Sequence, residues 1–235
     1  MIEKNPRSEL RSRQVTSESS RDLDRAKRIG IMPSSQLRRH FISLARRVRH
    51  WAVDKAENKD YPFSVGITSI NRRVGKSTIA FNMASAMTKV MRDDVLLVEA
   101  DFGKHFISRR LGKAGISGLS DLMIDEGSNP TEFILPTPLG DLWVLGSGSV
   151  SERDSVELPF ETLPPIMSKL DDFGCLVFDL PVADELTSCF SLAQKIDGVI
   201  LVVDAAKMDH RNIIRVRKKL ESYGVDIIGM AINKS

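Results

Sequence analysis

The chain has 235 residues, 42% of them hydrophobic, and sets 34 Lys and Arg against 31 Asp and Glu for a formal net charge of +3. That is enough apolar content for one sizeable α/β domain with an appendage, and so mild a basic excess excludes the clustered footprint of a general nucleic-acid binder. Two cysteines without metal-type spacing, Cys175 and Cys189, exclude a disulfide framework and point to a reducing compartment. The four histidines form no local cluster, and no apolar run approaches the roughly 18 residues of a membrane span. The expectation is a cytosolic protein.

In chain order, residues 1–33 are rich in charge and serine and poor in large apolar groups. Such a segment cannot bury enough surface to offset its ordering entropy, so it reads as a disordered arm. After Pro33 the pattern changes, and residues 34–235 read as a single domain. Leu37, Phe41, Leu44, Val48 and Trp51 recur at steps of four and three, which predicts an amphipathic helix over 35–56. Arg38, Arg39, Arg46, Arg47 and Arg49 occupy its remaining surface. Three destinations stay open for the apolar stripe: the main domain, a neighbouring subunit, or an anionic membrane. Packing on protein is favoured over lipid, because stripes at helical spacing are usually core.

From Pro62 onward, short apolar runs alternate with helical stretches. The runs are "FSVGITS", "VLLVEAD", "LWVLGSG", "CLVFDLP", "GVILVVDA" and "DIIGMAIN", and the clearest helices are Lys76–Met91 and Lys207–Tyr223. Most runs are nearly continuous in Val, Ile and Leu, as in strands covered on both faces. The expected fold is therefore α/β, a mainly parallel sheet flanked by helices on both faces, with ligands at the carboxyl ends of the strands.

The first run leads into "INRRVGKST" and then a helix, the context of a phosphate-binding loop. The backbone of Arg72, Arg73, Val74 and Gly75 would approach phosphate oxygens, Gly75 most closely. Lys76 would reach the β and γ phosphates, Ser77 would offer its hydroxyl to Mg²⁺, and Thr78 would add a contact near the α phosphate. The helix N-terminus then supplies free N–H groups. Ile70 stands where the general pattern GxxxxGK[ST] has its first glycine. Arg72 and Arg73 bring β-carbons to a cradle in which any position with positive φ disfavours them. Acidic strand ends complete the constellation: Glu99 and Asp101 after one run, Asp179 after another. Residues two apart on a strand point to one side, so Glu99 and Asp101 are expected to converge on one metal site with Asp179. Metal-dependent phosphoryl transfer needs such carboxylates to hold hydrated Mg²⁺ and to orient the attacking hydroxyl.

These motifs resemble the bacterial tyrosine kinases of capsule and exopolysaccharide synthesis, the BY-kinases, which share the P-loop fold of the MinD and ParA ATPases. The resemblance covers about Ser35 to Asn233. It rests on "GKST", on "LLVEAD" as a counterpart of the Walker A′ motif, and on "GLSDLM", "LWVLGSGSV", "VELPF", "LVFDLPVADE", "DGVILVVDAAK" and "GVDIIGMAINK" in the family's order. It implies an ATP- and Mg²⁺-dependent protein-tyrosine kinase. Lys76, Asp101 and Asp179 would be its catalytic residues; Ser77, Glu99, Asp101 and Asp179 its metal ligands. Asn233, after the last strand, would lie near the adenine base. It also implies a homo-oligomer assembled through the helix before the loop, and a membrane-embedded polysaccharide chain-length or export protein as activator. The chain would then sit in the cytoplasm, peripheral to the inner face of the membrane.

Several positions depart from that pattern. Glu99 replaces an aspartate, the basic residue after the second acid is displaced to Lys104, one proline remains at Pro181, and Gln36 stands where a glutamate would help assembly. The only tyrosines are Tyr61 and Tyr223, so phosphorylation is expected outside any C-terminal cluster of this chain. Two alternatives stay open: a weakly active or non-catalytic ATP-binding regulator of polysaccharide chain length, and a MinD/ParA-type ATPase. The latter is disfavoured by Asn71 at the place of that group's signature lysine.

Overall fold

Six of the apolar runs are strands in a computed structural model, which describes residues 35–55, 61–102, 104–113, 115–125, 127–183 and 187–234. The expected arm over 1–33 lies outside the described residues. The elements are α1 (Ser35–Lys55), β1 (Ser64–Ser69), α2 (Lys76–Met91), β2 (Val95–Glu99), α3 (Phe106–Arg110), α4 (Leu119–Ile124), β3 (Ile134–Pro136), β4 (Leu142–Leu145), α5 (Leu163–Ser168), β5 (Cys175–Asp179), α6 (Thr187–Ala193), β6 (Gly198–Asp204), α7 (His210–Ser222) and β7 (Ile227–Asn233).

The strands form one seven-stranded sheet in the order β3-β4-β2-β5-β1-β6-β7. Every neighbouring pair is parallel except β3 with β4. β1, β2, β4, β5 and β6 are buried at every position, which is why their sequences are apolar throughout instead of alternating. Helices cover both faces. One apolar layer joins the sheet to α1, α2 and α3, and the other joins it to α4, α5, α6 and α7. The helix expected over 207–223 begins later, because Asp209 accepts a bond from the Arg211 N–H and caps α7 there.

The stripe on α1 is covered within the chain from Phe41 onward, while Leu37 stays 48% exposed. Ala45, Val48 and Ala52 are buried, Phe41 and Leu44 pack on the same layer, and α1 lies against α2. Trp51 meets Phe63 edge-on at 5.9 Å between ring centroids. Burial of a side chain such as Val48 stabilises by about 1.5–3 kcal/mol, so this face is held to the domain. The arginines of α1 remain exposed. Among the described residues, no helix is long and apolar enough to cross a membrane.

Strand order alone brings three chain segments together. β5 lies between β1 and β2, so Asp179 at its carboxyl end stands in register with Glu99 of β2 and with Ile67 of β1. The loop after β1 therefore opens beside both acidic ends.

Candidate active site

β1 ends at Ser69, whose hydroxyl donates to the Asn71 carbonyl at 2.9 Å and starts the turn. Two residues of the turn adopt the left-handed conformation, Arg73 with φ 61° and Gly75 with φ 78°. Glycine is at home there; arginine carries a β-carbon into it and is strained. Gly75 is also required for space, since a Cβ at that position would come within 2.8 Å of Asn233 Nδ2. That amide donates to the Val74 carbonyl at 3.0 Å, so the last strand braces the loop from behind. Arg72 turns outward and pairs with Glu152 at 2.8 Å.

Gly75 caps α2 without any side-chain hydrogen bond to the helix's first N–H groups. Those donors face a cleft of about 400 Å³ lined by the loop, Lys76, Ser77, Thr78, Asp101 and Lys104. A helix N-terminus with free donors, a cationic side chain and room in front of it is an anion site. On the opposite wall, Lys76 is 6% exposed and its ammonium contacts Asp179 Oδ1 at 2.5 Å and Asp101 Oδ2 at 3.1 Å. Lys104 holds Asp101 from the open side at 3.0 Å. Burial alone would pull the Lys76 pKa down, but Asp179 and Asp101 more than offset it and leave it raised. Burial raises the Asp179 carboxyl, with the Lys76 ammonium pulling the other way. The second Asp179 oxygen, Oδ2, is buried with no hydrogen-bond partner.

Glu99 is oriented differently. Its Oε1 accepts from the Ile107 N–H at 2.6 Å, and its Oε2 accepts from the Ser108 hydroxyl at 2.7 Å and the Ser108 N–H at 3.3 Å. The carboxylate thus caps the short helix α3, and burial raises its pKa against those bonds. Next to it, His105 Nδ1 lies 2.8 Å from the Ser147 hydroxyl at the end of β4, tying α3 to the sheet.

The structure therefore gathers Lys76, Asp101 and Asp179 beside Ser77 and the loop, and directs Glu99 into α3. The expected convergence of Glu99 and Asp101 is not what the side chains do, because Asp101 lies beyond the end of β2, where strand alternation no longer governs direction. Among the described residues, no group of three or more His, Cys, Asp or Glu side chains is arranged to hold a metal. Asn233 reaches the back of the loop, where its amide meets the Val74 carbonyl. Sequence reading did not single out Lys104 or Ser108 as partners of the acids. The spacing of Lys104 three residues after Asp101 carries a signal for the first; nothing local carries one for the second.

No family model matches the chain. It is 23% identical over 172 residues to the tyrosine-protein kinase CpsD of Streptococcus pneumoniae, covering 72% of this chain and 75% of that protein. It is 25% identical over 175 residues to the putative tyrosine-protein kinase CapB of Staphylococcus aureus, covering 73% and 75%. The crystal structure of the chimerical protein CapA2B2 superposes with a TM-score of 0.67 at 22% identity, over 81% of this chain and 83% of that one. The MinD cell division protein of Aquifex aeolicus superposes at 0.59 with 19% identity, over 72% and 67%. The structural likenesses establish a P-loop NTPase-like fold, and the sequence relatives are proteins named tyrosine-protein kinases.

Proposed function

From these homologues and this site, we propose that the chain is an ATP- and Mg²⁺-dependent protein-tyrosine kinase of the capsule or exopolysaccharide machinery. The observation that carries the reading is the buried Lys76–Asp179–Asp101 cluster beside the uncapped N-terminus of α2. The residues present fit the nucleotide and its metal in two respects. The first N–H groups of α2 carry no side-chain cap at the edge of the cleft, and Asp179 Oδ2 is a buried acceptor without a hydrogen-bond partner. Mg²⁺-ATP, when bound, supplies the phosphoryl group and neutralises its charge.

The chain's own groups do the remainder. The loop backbone and α2 would hold phosphate, Lys76 would pair with the anion, and Ser77 and Asp179 would hold the metal through their oxygens. Asp101 accepts the proton of the attacking phenol. Glu99 keeps α3 in place beneath the site. Neither tyrosine of the described residues lies at the cleft: Tyr61 precedes β1 and Tyr223 follows α7, both at the amino ends of the strands, with Tyr223 stacked on Phe190 at 4.9 Å. A membrane-embedded chain-length or export protein as activator, and homo-oligomerisation, complete the proposal and rest on the resemblance.

The test is incubation with γ-labelled ATP, Mg²⁺ and a glutamate–tyrosine copolymer, with Lys76→Ala as control. Label on tyrosine that disappears in Lys76→Ala supports the kinase. Nucleotide retained without turnover supports the regulator, the reading favoured by Glu99's engagement with α3. Phosphate release stimulated by DNA or lipid supports a partitioning-type ATPase.

A further inference from the structure

A second concave site lies far from the phosphate loop, between α1 and the C-terminal half of α2. It is a groove of about 160 Å³. Its floor is Phe81, Asn82, Ala86 and Thr88, all buried, and its wall is Phe41 and Ile42. Two polar groups of the floor are already engaged: Asn82 Nδ2 donates to the Thr78 carbonyl at 2.8 Å and Thr88 Oγ1 to the Ser85 carbonyl at 2.9 Å. With those donors engaged and Phe41, Ile42, Phe81, Ala86 and Leu139 around them, the groove is mainly apolar and suits an apolar occupant.

Arg38 and Ile42 also belong to an adjoining depression whose other walls are Arg39, Ser43 and Arg46. These three arginines are exposed, and no salt bridge to a described acid is formed by any of them. Lys89 closes the other end of the groove, held loosely by Asp141 at 3.9 Å. From Ser35 to Val53 the helix contains no Asp or Glu, so nothing within this stretch of α1 neutralises the shelf. The juxtaposition is specific: a pocket sized for one side chain, continuous with a shelf of guanidinium groups on the same helix.

We propose that this groove and its arginine shelf are a docking site for an acidic protein segment that carries one apolar anchor side chain. The anchor fills the pocket and its flanking carboxylates meet Arg38, Arg39 and Arg46, whose planar forks suit bidentate pairing. Charge complementarity selects the acidic partner and concavity selects a peptide over a bilayer. A flat anionic membrane satisfies the arginines but does not enter the groove, and from Phe41 to Val48 the stripe by which α1 would insert into lipid is already packed on the domain.

Fluorescence anisotropy tests this with three labelled nonapeptides, each of eight glutamates around a central Phe, Leu or Trp, and a nonaglutamate control. At least one anchored peptide is expected to bind, weakening with salt, and about tenfold more tightly than nonaglutamate. Reversal of the shelf in Arg38→Glu/Arg46→Glu should weaken that binding by about tenfold or more. Ser85→Phe, which fills the groove and leaves the shelf intact, should erase the advantage of the anchor; circular dichroism verifies that both variants fold. Equal binding of nonaglutamate, binding unchanged by Ser85→Phe, or binding only to phosphatidylglycerol vesicles and to none of the peptides overturns the proposal. None of these readouts depends on kinase activity.

Discussion

Asp179 and Glu99 are neighbours in register at the ends of adjacent strands, both almost wholly buried, yet they are held in opposite ways. Asp179 meets a lysine with one oxygen and leaves the other without a partner. Glu99 has both oxygens satisfied by the first turn of α3. The former arrangement is poised for a ligand and the latter is complete without one. Similar sequence contexts, an acid closing an apolar run, thus give one functional candidate and one structural brace. What separates them is the element packed in front of each.

The most damaging way to test this contrast is Lys76→Met. It leaves Asp101 and Asp179 buried without their ammonium, and should cost about 3–5 kcal/mol in urea unfolding as well as abolish phosphoryl transfer. If stability is unchanged, the triad is not the buried cluster described. Glu99→Ala should lower stability by about 1–3 kcal/mol, because the donors of α3 lose their acceptor. Its apparent Mg²⁺ affinity, measured by titration at saturating ATP, should stay close to wild type. A large loss of Mg²⁺ affinity with little loss of stability would reverse the roles of the two acids.

Acid titration sharpens the same contrast. Burial raises the Glu99 pKa above its usual 4.5, so the folded state holds that proton more tightly than the unfolded chain does. Its contribution to stability is fully present below the unfolded value and is lost as pH rises through the folded one. The stability of wild type minus that of Glu99→Gln should therefore decline as pH climbs above 4.5. A difference that grows with pH would mean that the α3 bonds outweigh burial.

Smaller effects belong to the loop. Arg73→Gly removes a β-carbon from a left-handed position and should gain about 1 kcal/mol, measured as a rise in the urea midpoint. Arg72→Ala breaks an ion pair whose side chains are 46% and 35% exposed, and should change stability by less than about 1 kcal/mol. These two arginines look alike in sequence, but only one is under backbone strain.

Much of the fold was legible because its signals are local. Continuous Val, Ile and Leu marked β1, β2, β4, β5, β6 and β7 to within a few residues, and the stripe from Leu37 to Trp51 marked α1. β3 escaped notice, being three residues long, ending in Pro136 and running antiparallel at the sheet edge. "GKST" between a buried strand and a helix located the candidate site, and the acids at strand ends supplied its other wall.

What the sequence determined by itself is therefore the periodicity of burial, the order of the elements and the residue types brought to the strand ends, since each depends on neighbours a few positions away. Tertiary structure decided which acid faces Lys76 and which faces α3, that α1 covers α2, and that Asn233 braces Val74 across 159 positions of sequence. Side-chain direction past the end of a strand follows from packing against distant elements, and no local pattern encodes that contact.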